Sequence, residues 1–89
     1  MVERTDEYII GRLIERSRLL IALSEEIPVA TKLETQPLLK QLEQCLSVPA
    51  GEQDTERIRG TYAALYAELA DYADLEALLS ALKTFVPCL

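Results

Sequence analysis

The feature that most constrains the fold is a repeat of apolar residues between residues 53 and 85. Two runs of apolar residues, separated near Asp74, recur at steps of three and four, which places each run on one face of an α-helix. Each run therefore predicts an amphipathic helix that buries one side. The first run is Ile58, Tyr62, Leu65, Leu69 and Tyr72. The second run is Leu75, Leu78, Leu79, Leu82, Phe85 and Val86.

The start of each of these helices has polar residues that suit a helix N-terminus. Asp54 or Thr55 caps the third helix of the chain, and Asp74 caps the fourth. One continuous helix to Phe85 is the alternative, because no helix-breaking residue lies between the two runs. A band of small residues beside the first run allows close helix packing, and we expect it to face the first helix or a second copy. The band consists of Gly60, Ala63, Ala64, Ala67 and Ala70.

The N-terminal part of the chain predicts a long first helix. We expect it to begin at Thr5 or Asp6 and to end near Ile27, because Pro28 disfavours helical geometry in the residue before it. Its apolar residues form a wide stripe of the kind that a bundle helix buries. They are Ile9, Ile10, Leu13, Ile14, Leu20, Ile21, Leu23 and Ile27.

A shorter second helix is expected after a connector at residues 29–34, which has room for one helical turn. Thr35 is its predicted cap, and Pro37 lies in its first turn, where the missing N–H does no harm. Residues 47–51 contain proline and glycine and end it. Its apolar face is Leu38, Leu39, Leu42, Cys45 and Leu46.

Short connections between amphipathic helices favour antiparallel neighbours. The sequence therefore predicts an all-α fold, an antiparallel up-and-down four-helix bundle, with residues 1–89 as a single domain. The count falls to three helices if the last two are continuous.

Net charge narrows the choice of partners. The chain carries −6 overall, and nine of its fifteen acidic residues lie after residue 33. Nucleic-acid binders need a basic surface, so direct nucleic-acid binding is not expected. No run reaches the length of a membrane span, and no signal peptide is visible. We expect a cytoplasmic protein whose partner is another protein with a basic or mixed surface.

Few residues suited to catalysis are present. The sequence has no histidine, which removes the commonest general base and metal ligand. Cys45 and Cys88 are too far apart for a C-x-x-C site, and no glycine-rich phosphate loop occurs. We therefore expect no enzyme activity, cofactor or metal.

One cluster of residues suggests a docking patch around the last two helices. It combines carboxylates, with no basic residue between Arg59 and Lys83, and two tyrosines as anchors. The alternative is an ordinary solvated face with helix caps. A calcium loop is disfavoured, because its spacing and glycine are missing. The predicted partner-binding residues are Tyr66, Glu68, Asp71, Tyr72, Asp74 and Glu76.

The order of the segments resembles that of the immunity proteins that protect lactic-acid bacteria from pediocin-like (class IIa) bacteriocins. The segments after the long first helix are PLLKQLEQCL, PAGEQDTE, RIRGTYAALYAELADY and DLEALLSALKTF. The resemblance implies a non-enzymatic four-helix bundle that blocks a toxin through its C-terminal half, and it supplies no functional residue.

The leading hypothesis is thus a small protein-binding bundle, in its most specific form an immunity or inhibitor protein that neutralises a toxin or its target complex. The alternatives are a secretion co-chaperone or homodimeric assembly scaffold, and an acidic phage-type inhibitor that mimics nucleic acid. Both a monomer and a homodimer stay open.

Overall fold

The fold is built from four helices joined by short connections. The computed structural model describes the backbone of residues 2–86 and 88–89, and the side chains of residues 7–49, 51–86 and 88–89. The described residues form α1 (Val2–Leu23), α2 (Val29–Leu46), α3 (Thr55–Leu69) and α4 (Ala73–Phe85), with a 3₁₀ turn at Ala50–Glu52 and no β-strand. The all-α prediction is confirmed, and the alternative in which the last two helices are continuous is wrong.

Each helix packs mainly against two neighbours, so the helices follow one another around the bundle. α1 lies between α2 and α4, and α3 lies between the same two helices on the opposite side. Hydrogen bonds between α1 and α2 show that these helices are antiparallel. Lys32 Nζ donates to the Ala22 carbonyl at 3.2 Å. Gln36 lies one turn after Lys32, and its side chain donates to the carbonyl of Arg18, which lies one turn before Ala22. The up-and-down arrangement is that of a four-helix bundle.

The core is formed by the apolar faces that the sequence predicted. All four helices contribute residues that are at most 4% exposed, and the loop residue Ile27 and Val86 join them. Leucine and isoleucine fill most of this space, in keeping with the absence of tryptophan. The buried apolar residues are Ile14, Ile21, Ile27, Leu39, Leu42, Ile58, Leu65, Leu69, Leu75, Leu79, Leu82 and Val86.

The joint between α1 and α2 differs from the prediction. α1 is already helical at Val2, before Thr5 and Asp6, and it ends at Leu23 rather than near Ile27. The Ser24 hydroxyl accepts a hydrogen bond from the Glu26 N–H at 3.2 Å, and this local turn takes the chain out of the helix. Leu23 is consequently 78% exposed and does not belong to the core, whereas Ile27 folds back into it.

α2 begins six residues before the predicted cap. Pro28 stands at its N-cap position, so residues 29–34 are helix and not a connector. Thr35 is fully buried inside the helix, and its hydroxyl donates to the Thr31 carbonyl at 2.8 Å instead of capping. Pro37 also lies inside the helix, on its exposed side. The helix continues through the proline because residues on both sides of it, Thr35 and Leu39, are packed in the core.

The joint between α3 and α4 is a sharp turn of three residues. Asp54 caps α3 as predicted, since its carboxylate accepts the Arg57 N–H at 3.2 Å. α3 ends at Leu69 and Tyr72 occupies the N-cap position of α4, without a side-chain cap hydrogen bond. The prediction that Asp74 is the cap is therefore wrong; Asp74 lies in the first turn of α4.

Four of the five small residues in the predicted band do not pack inside the monomer, and the fifth, Ala70, is half-buried. Gly60, Ala63, Ala64 and Ala67 are exposed, and a Cβ atom added at Gly60 would meet nothing within 4 Å. The expectation that this band faces the first helix is wrong, because α3 turns its leucine stripe, and not this band, toward the core.

The segment after α4 folds against the bundle. Val86 is buried, and Cys88 and Leu89 are half-buried against the core. Arg59 Nε donates to the Cys88 carbonyl at 2.7 Å, which ties this segment to α3. Pro87 lies outside the described residues.

Candidate functional site: an acidic groove at one end of the bundle

A concave surface lies where the end of α1 meets the start of α4. We call it the joint groove, and its volume is about 690 Å³. It exists because the α1–α2 turn and the α3–α4 turn lie at the same end of an antiparallel bundle. The residues that line it are Leu20, Leu23, Ser24, Glu25, Glu26, Ile27, Tyr72, Ala73, Asp74 and Leu75.

The joint groove has an apolar floor and an acidic rim. Ile27 and Leu75 are buried in the floor. The carboxylates of Glu25, Glu26 and Asp74 are exposed at the rim, and none of the described side chains that line the groove is basic. A concave apolar surface with a few charged groups of one sign is typical of a recognition site. The arrangement suits a ligand that is both apolar and positively charged.

The structure brings together only part of the predicted docking patch. Tyr72 and Asp74 line the joint groove, whereas Glu68 and Asp71 are exposed outside it. Tyr66, a predicted anchor of the docking patch, is half-buried between α3 and α4. Its hydroxyl donates to the Glu76 carboxylate at 3.0 Å. Tyr66 and Glu76 thus satisfy each other's hydrogen-bonding groups across the α3–α4 interface, and both side chains are half-buried.

A small hydrogen-bond network fixes this part of the α3–α4 interface. The Ser80 hydroxyl also donates to Glu76, at 2.7 Å. The hydrogen bonds from Ser80 and Tyr66 lower the pKa of the Glu76 carboxyl below its ordinary value of 4.5. The same hydrogen bond, together with the negative charge of Glu76, raises the pKa of the Tyr66 phenol above 10.0.

Tyr62 continues the network one turn away on α3. Its ring stacks on that of Tyr66 with centroids 6.1 Å apart, and its hydroxyl donates to the Leu79 carbonyl at 2.6 Å. Burial, followed by the charges of Tyr66 and Glu76, raises the pKa of the Tyr62 phenol. The tyrosines therefore hold α3 and α4 together, and Tyr72 is the tyrosine left at the groove.

The contribution of the α1–α2 turn is not among the sequence predictions. Leu23, Glu25, Glu26 and Ile27 line the groove, but the sequence interpretation placed them in one continuous helix. The signal that marks this turn is the polar run Ser24-Glu25-Glu26 shortly before a proline, which is typical of a loop. Their proximity to Asp74 depends on packing and is not visible in the sequence.

The described side chains do not form a metal site, since no group of three or more potential ligands comes together among them. Cys45 and Cys88 are both free thiols and half-buried. Within the described part of the chain, no helix combines the length and the apolar character needed to cross a membrane.

Comparisons with models of known protein families, with curated proteins and with solved structures find no match.

Proposed function

We propose that this protein acts without catalysis by binding another protein, and that the joint groove receives a segment of that partner. The observation that supports the proposal most directly is the composition of the groove. It combines a buried apolar floor with the three carboxylates of Glu25, Glu26 and Asp74, and no basic side chain is among the described residues that line it. The matching partner segment carries an apolar side chain next to lysine or arginine.

The two parts of the groove have different tasks in this proposal. The floor provides affinity, since burial of a leucine-sized side chain contributes roughly 2 kcal/mol. The rim provides orientation and fast association with a basic or mixed surface, because exposed charges act mainly on association rate and specificity. Binding is therefore expected to weaken with added salt without disappearing.

The most specific form of the proposal is an immunity or inhibitor protein that neutralises a toxin or its target complex. The support is the bundle architecture together with the resemblance in segment order to the immunity proteins of pediocin-like bacteriocins. The proposal places the protein in the cytoplasm, because the two free thiols are typical of a reducing compartment.

A homodimeric scaffold or co-chaperone is the second candidate. The observation that favours it is the exposed band of Gly60, Ala63, Ala64 and Ala67, which allows a helix of another chain to approach closely. Light scattering at two concentrations tests the homodimer, and a strict monomer at both would exclude it.

The groove is tested by a charge-neutral variant, Glu25→Gln/Glu26→Gln/Asp74→Asn, used as bait in pull-downs from the native host. The unmodified protein is expected to capture a partner, and the variant to retain about a tenth of it. The matched control is Glu34→Gln/Glu52→Gln/Glu56→Gln, which removes three exposed carboxylates outside the groove. Equal losses in both variants would mean that net charge, and not the groove, attracts the partner.

The immunity form is tested by expression of the protein in a strain sensitive to pediocin-like bacteriocins. Survival is expected to rise with the unmodified protein and with the control variant, and to stay at the level of the untransformed strain with the groove variant. A lack of protection against a panel of such bacteriocins would contradict this form of the proposal.

A further inference from the structure

α1 carries a second surface that is unlike the joint groove in chemistry and shares no residue with it. Tyr8, Arg12, Arg16 and Leu19 follow one another at steps of four, four and three residues, and all are exposed. We call these four residues the α1 outer stripe. The Tyr8 and Leu19 side chains at its two ends are 65% and 50% exposed. The core does not require these four residues, because α1 contacts the core through the opposite face of the helix.

The α1 outer stripe is concave. A shallow groove of about 460 Å³ runs along it, and the half-buried side chains of Ile9 and Leu13 form its floor. The stripe spans roughly 17 Å at the rise of an α-helix, the length of about three helical turns. It thus has the size and the apolar floor that an amphipathic helix of a partner needs for docking.

The charge of the stripe is opposite to that of the rest of the molecule. Arg12 lies over the Tyr8 ring with its guanidinium carbon 5.9 Å from the centroid. Glu15 is the carboxylate among the residues that line this groove, and it forms an ion pair with Arg18. The guanidinium groups of Arg12 and Arg16 therefore give this surface a positive character in a chain whose net charge is −6. Tyrosine and arginine are also the residue types enriched at interface centres.

Other occupants of the stripe fit less well. A symmetric pair of copies, stripe against stripe, would bring Arg12 and Arg16 against their own equivalents in the second copy. Anionic membranes and nucleic acids bind clusters of many basic residues, whereas this stripe has two arginines on an acidic protein.

We propose that the α1 outer stripe, formed by Tyr8, Arg12, Arg16 and Leu19, binds an acidic amphipathic helix of a partner protein. Apolar side chains of that helix cover Tyr8, Leu19 and the floor, and its carboxylates pair with the two guanidinium groups. The protein then has two docking surfaces of opposite charge, the joint groove for a cationic segment and the stripe for an anionic one.

The test uses two fluorescent synthetic peptides of about 16 residues, the length at which a single helix becomes stable enough to bind. Both carry leucine along one face; one has glutamate and the other lysine at the remaining positions. Because the lysine peptide also matches the joint groove, fluorescence anisotropy is measured on the charge-neutral groove variant Glu25→Gln/Glu26→Gln/Asp74→Asn. This variant is expected to bind the glutamate peptide about tenfold more tightly than the lysine peptide.

The stripe substitutions are made in the same variant. Tyr8→Ser/Leu19→Ser is expected to weaken binding of the glutamate peptide about tenfold, and Arg12→Gln/Arg16→Gln to remove the preference for glutamate over lysine.

Matched controls show whether a loss of peptide binding is specific to the α1 outer stripe. Val48→Ser removes an apolar side chain that is 40% exposed elsewhere, and Arg57→Gln removes an exposed arginine of α3. Both are made in the same groove variant and are expected to leave its binding of the glutamate peptide unchanged, and circular dichroism checks that all variants are folded. The proposal is overturned if the glutamate peptide does not bind, if the controls lose binding equally, or if Leu19→Ser dissolves a dimer. Binding of the unmodified protein to vesicles of anionic lipid at physiological salt would also overturn it.

Discussion

The two halves of the bundle, α1–α2 and α3–α4, have similar buried faces and different exposed faces. α1 and α2 bury isoleucine and leucine on their inner faces, as α3 and α4 do. On the outside, the α1–α2 half exposes large apolar side chains, for example Leu23 at 78% and Leu33 at 70%, and no such side chain is exposed on the described part of α3 or α4. The outer faces of α3 and α4 carry mainly small and charged residues instead.

This difference distinguishes the residues that folding requires from those that it does not constrain. Folding needs the inner faces, because burial of apolar surface is its main driving force. The outer faces do not contribute to the core, and the exposed Leu19 and Leu23 each belong to one of the two proposed docking surfaces. Both proposed docking surfaces include apolar residues of α1, and the joint groove adds the start of α4.

The largest expected effect is the difference in stability between substitution of a leucine on an inner face and substitution of a leucine on an outer face. Leu65→Ala removes a fully buried side chain of α3 and is expected to lower the free energy of unfolding by about 2–5 kcal/mol. Leu19→Ala removes a half-exposed side chain of α1 and is expected to change it by less than about 0.5 kcal/mol. Urea denaturation measures both. Similar losses in the two variants would contradict the division into inner and outer faces.

A smaller effect is expected at the seam between the halves. The Gln41 amide of α2 donates to the hydroxyl of the buried Thr61 in α3 at 2.7 Å. Thr61→Val removes the acceptor and is expected to lower the free energy of unfolding by about 1 kcal/mol. Thr84→Val, at an exposed position of α4, is the control and is expected to be nearly neutral. If Thr61→Val is equally neutral in urea denaturation, this hydrogen bond does not help to hold the halves together.

The outer face of α3 is expected to tolerate, and even to gain from, a larger residue. Gly60→Ala adds a methyl group that meets nothing within 4 Å, and it reduces the freedom of the unfolded chain. We expect an increase in the free energy of unfolding of about 0.5–1 kcal/mol, measured as a higher melting temperature. The reverse change at a neighbouring exposed position, Ala64→Gly, is expected to lower stability by a similar amount. A destabilising Gly60→Ala would indicate that a second copy covers this band.

The smallest effect concerns the network inside the α3–α4 half. Tyr66→Phe removes a hydrogen bond that lowers the pKa of Glu76, so the pKa of that carboxyl is expected to rise toward 4.5, as measured by NMR titration. Because the folded-state pKa of Glu76 is lowered, its contribution to stability is present at neutral pH. It is lost as pH falls below 4.5 and through the folded-state value. Tyr66→Phe is expected to make stability less dependent on pH in this acidic range.

The Ser80→Ala variant removes the other hydrogen bond to Glu76 and is expected to move its pKa in the same direction. The Tyr8→Phe variant changes a tyrosine outside the network and is the control. An unchanged pKa of Glu76 in both Tyr66→Phe and Ser80→Ala would mean that the three side chains do not form this network in solution.

The sequence by itself determined the four helices and most of the core. The spacing of Ile58, Leu65 and Leu69 identifies the inner face of α3 wherever that helix packs, because apolar residues three and four apart share one side. The Asp54 cap is likewise a local property, since its hydrogen bond joins residues three apart in the chain. Such local rules do not depend on which helices become neighbours.

Only the tertiary structure decided that residues 29–34 belong to α2 and which residues meet at the joint groove. Helix propensity alone places a boundary near Pro37, but packing of Thr35 and Leu39 against other helices carries α2 through it. Glu26 and Asp74 are far apart in the chain and line one groove because antiparallel packing brings two turns to the same end. Contacts between distant segments depend on the arrangement of all four helices, which no local pattern of residues encodes.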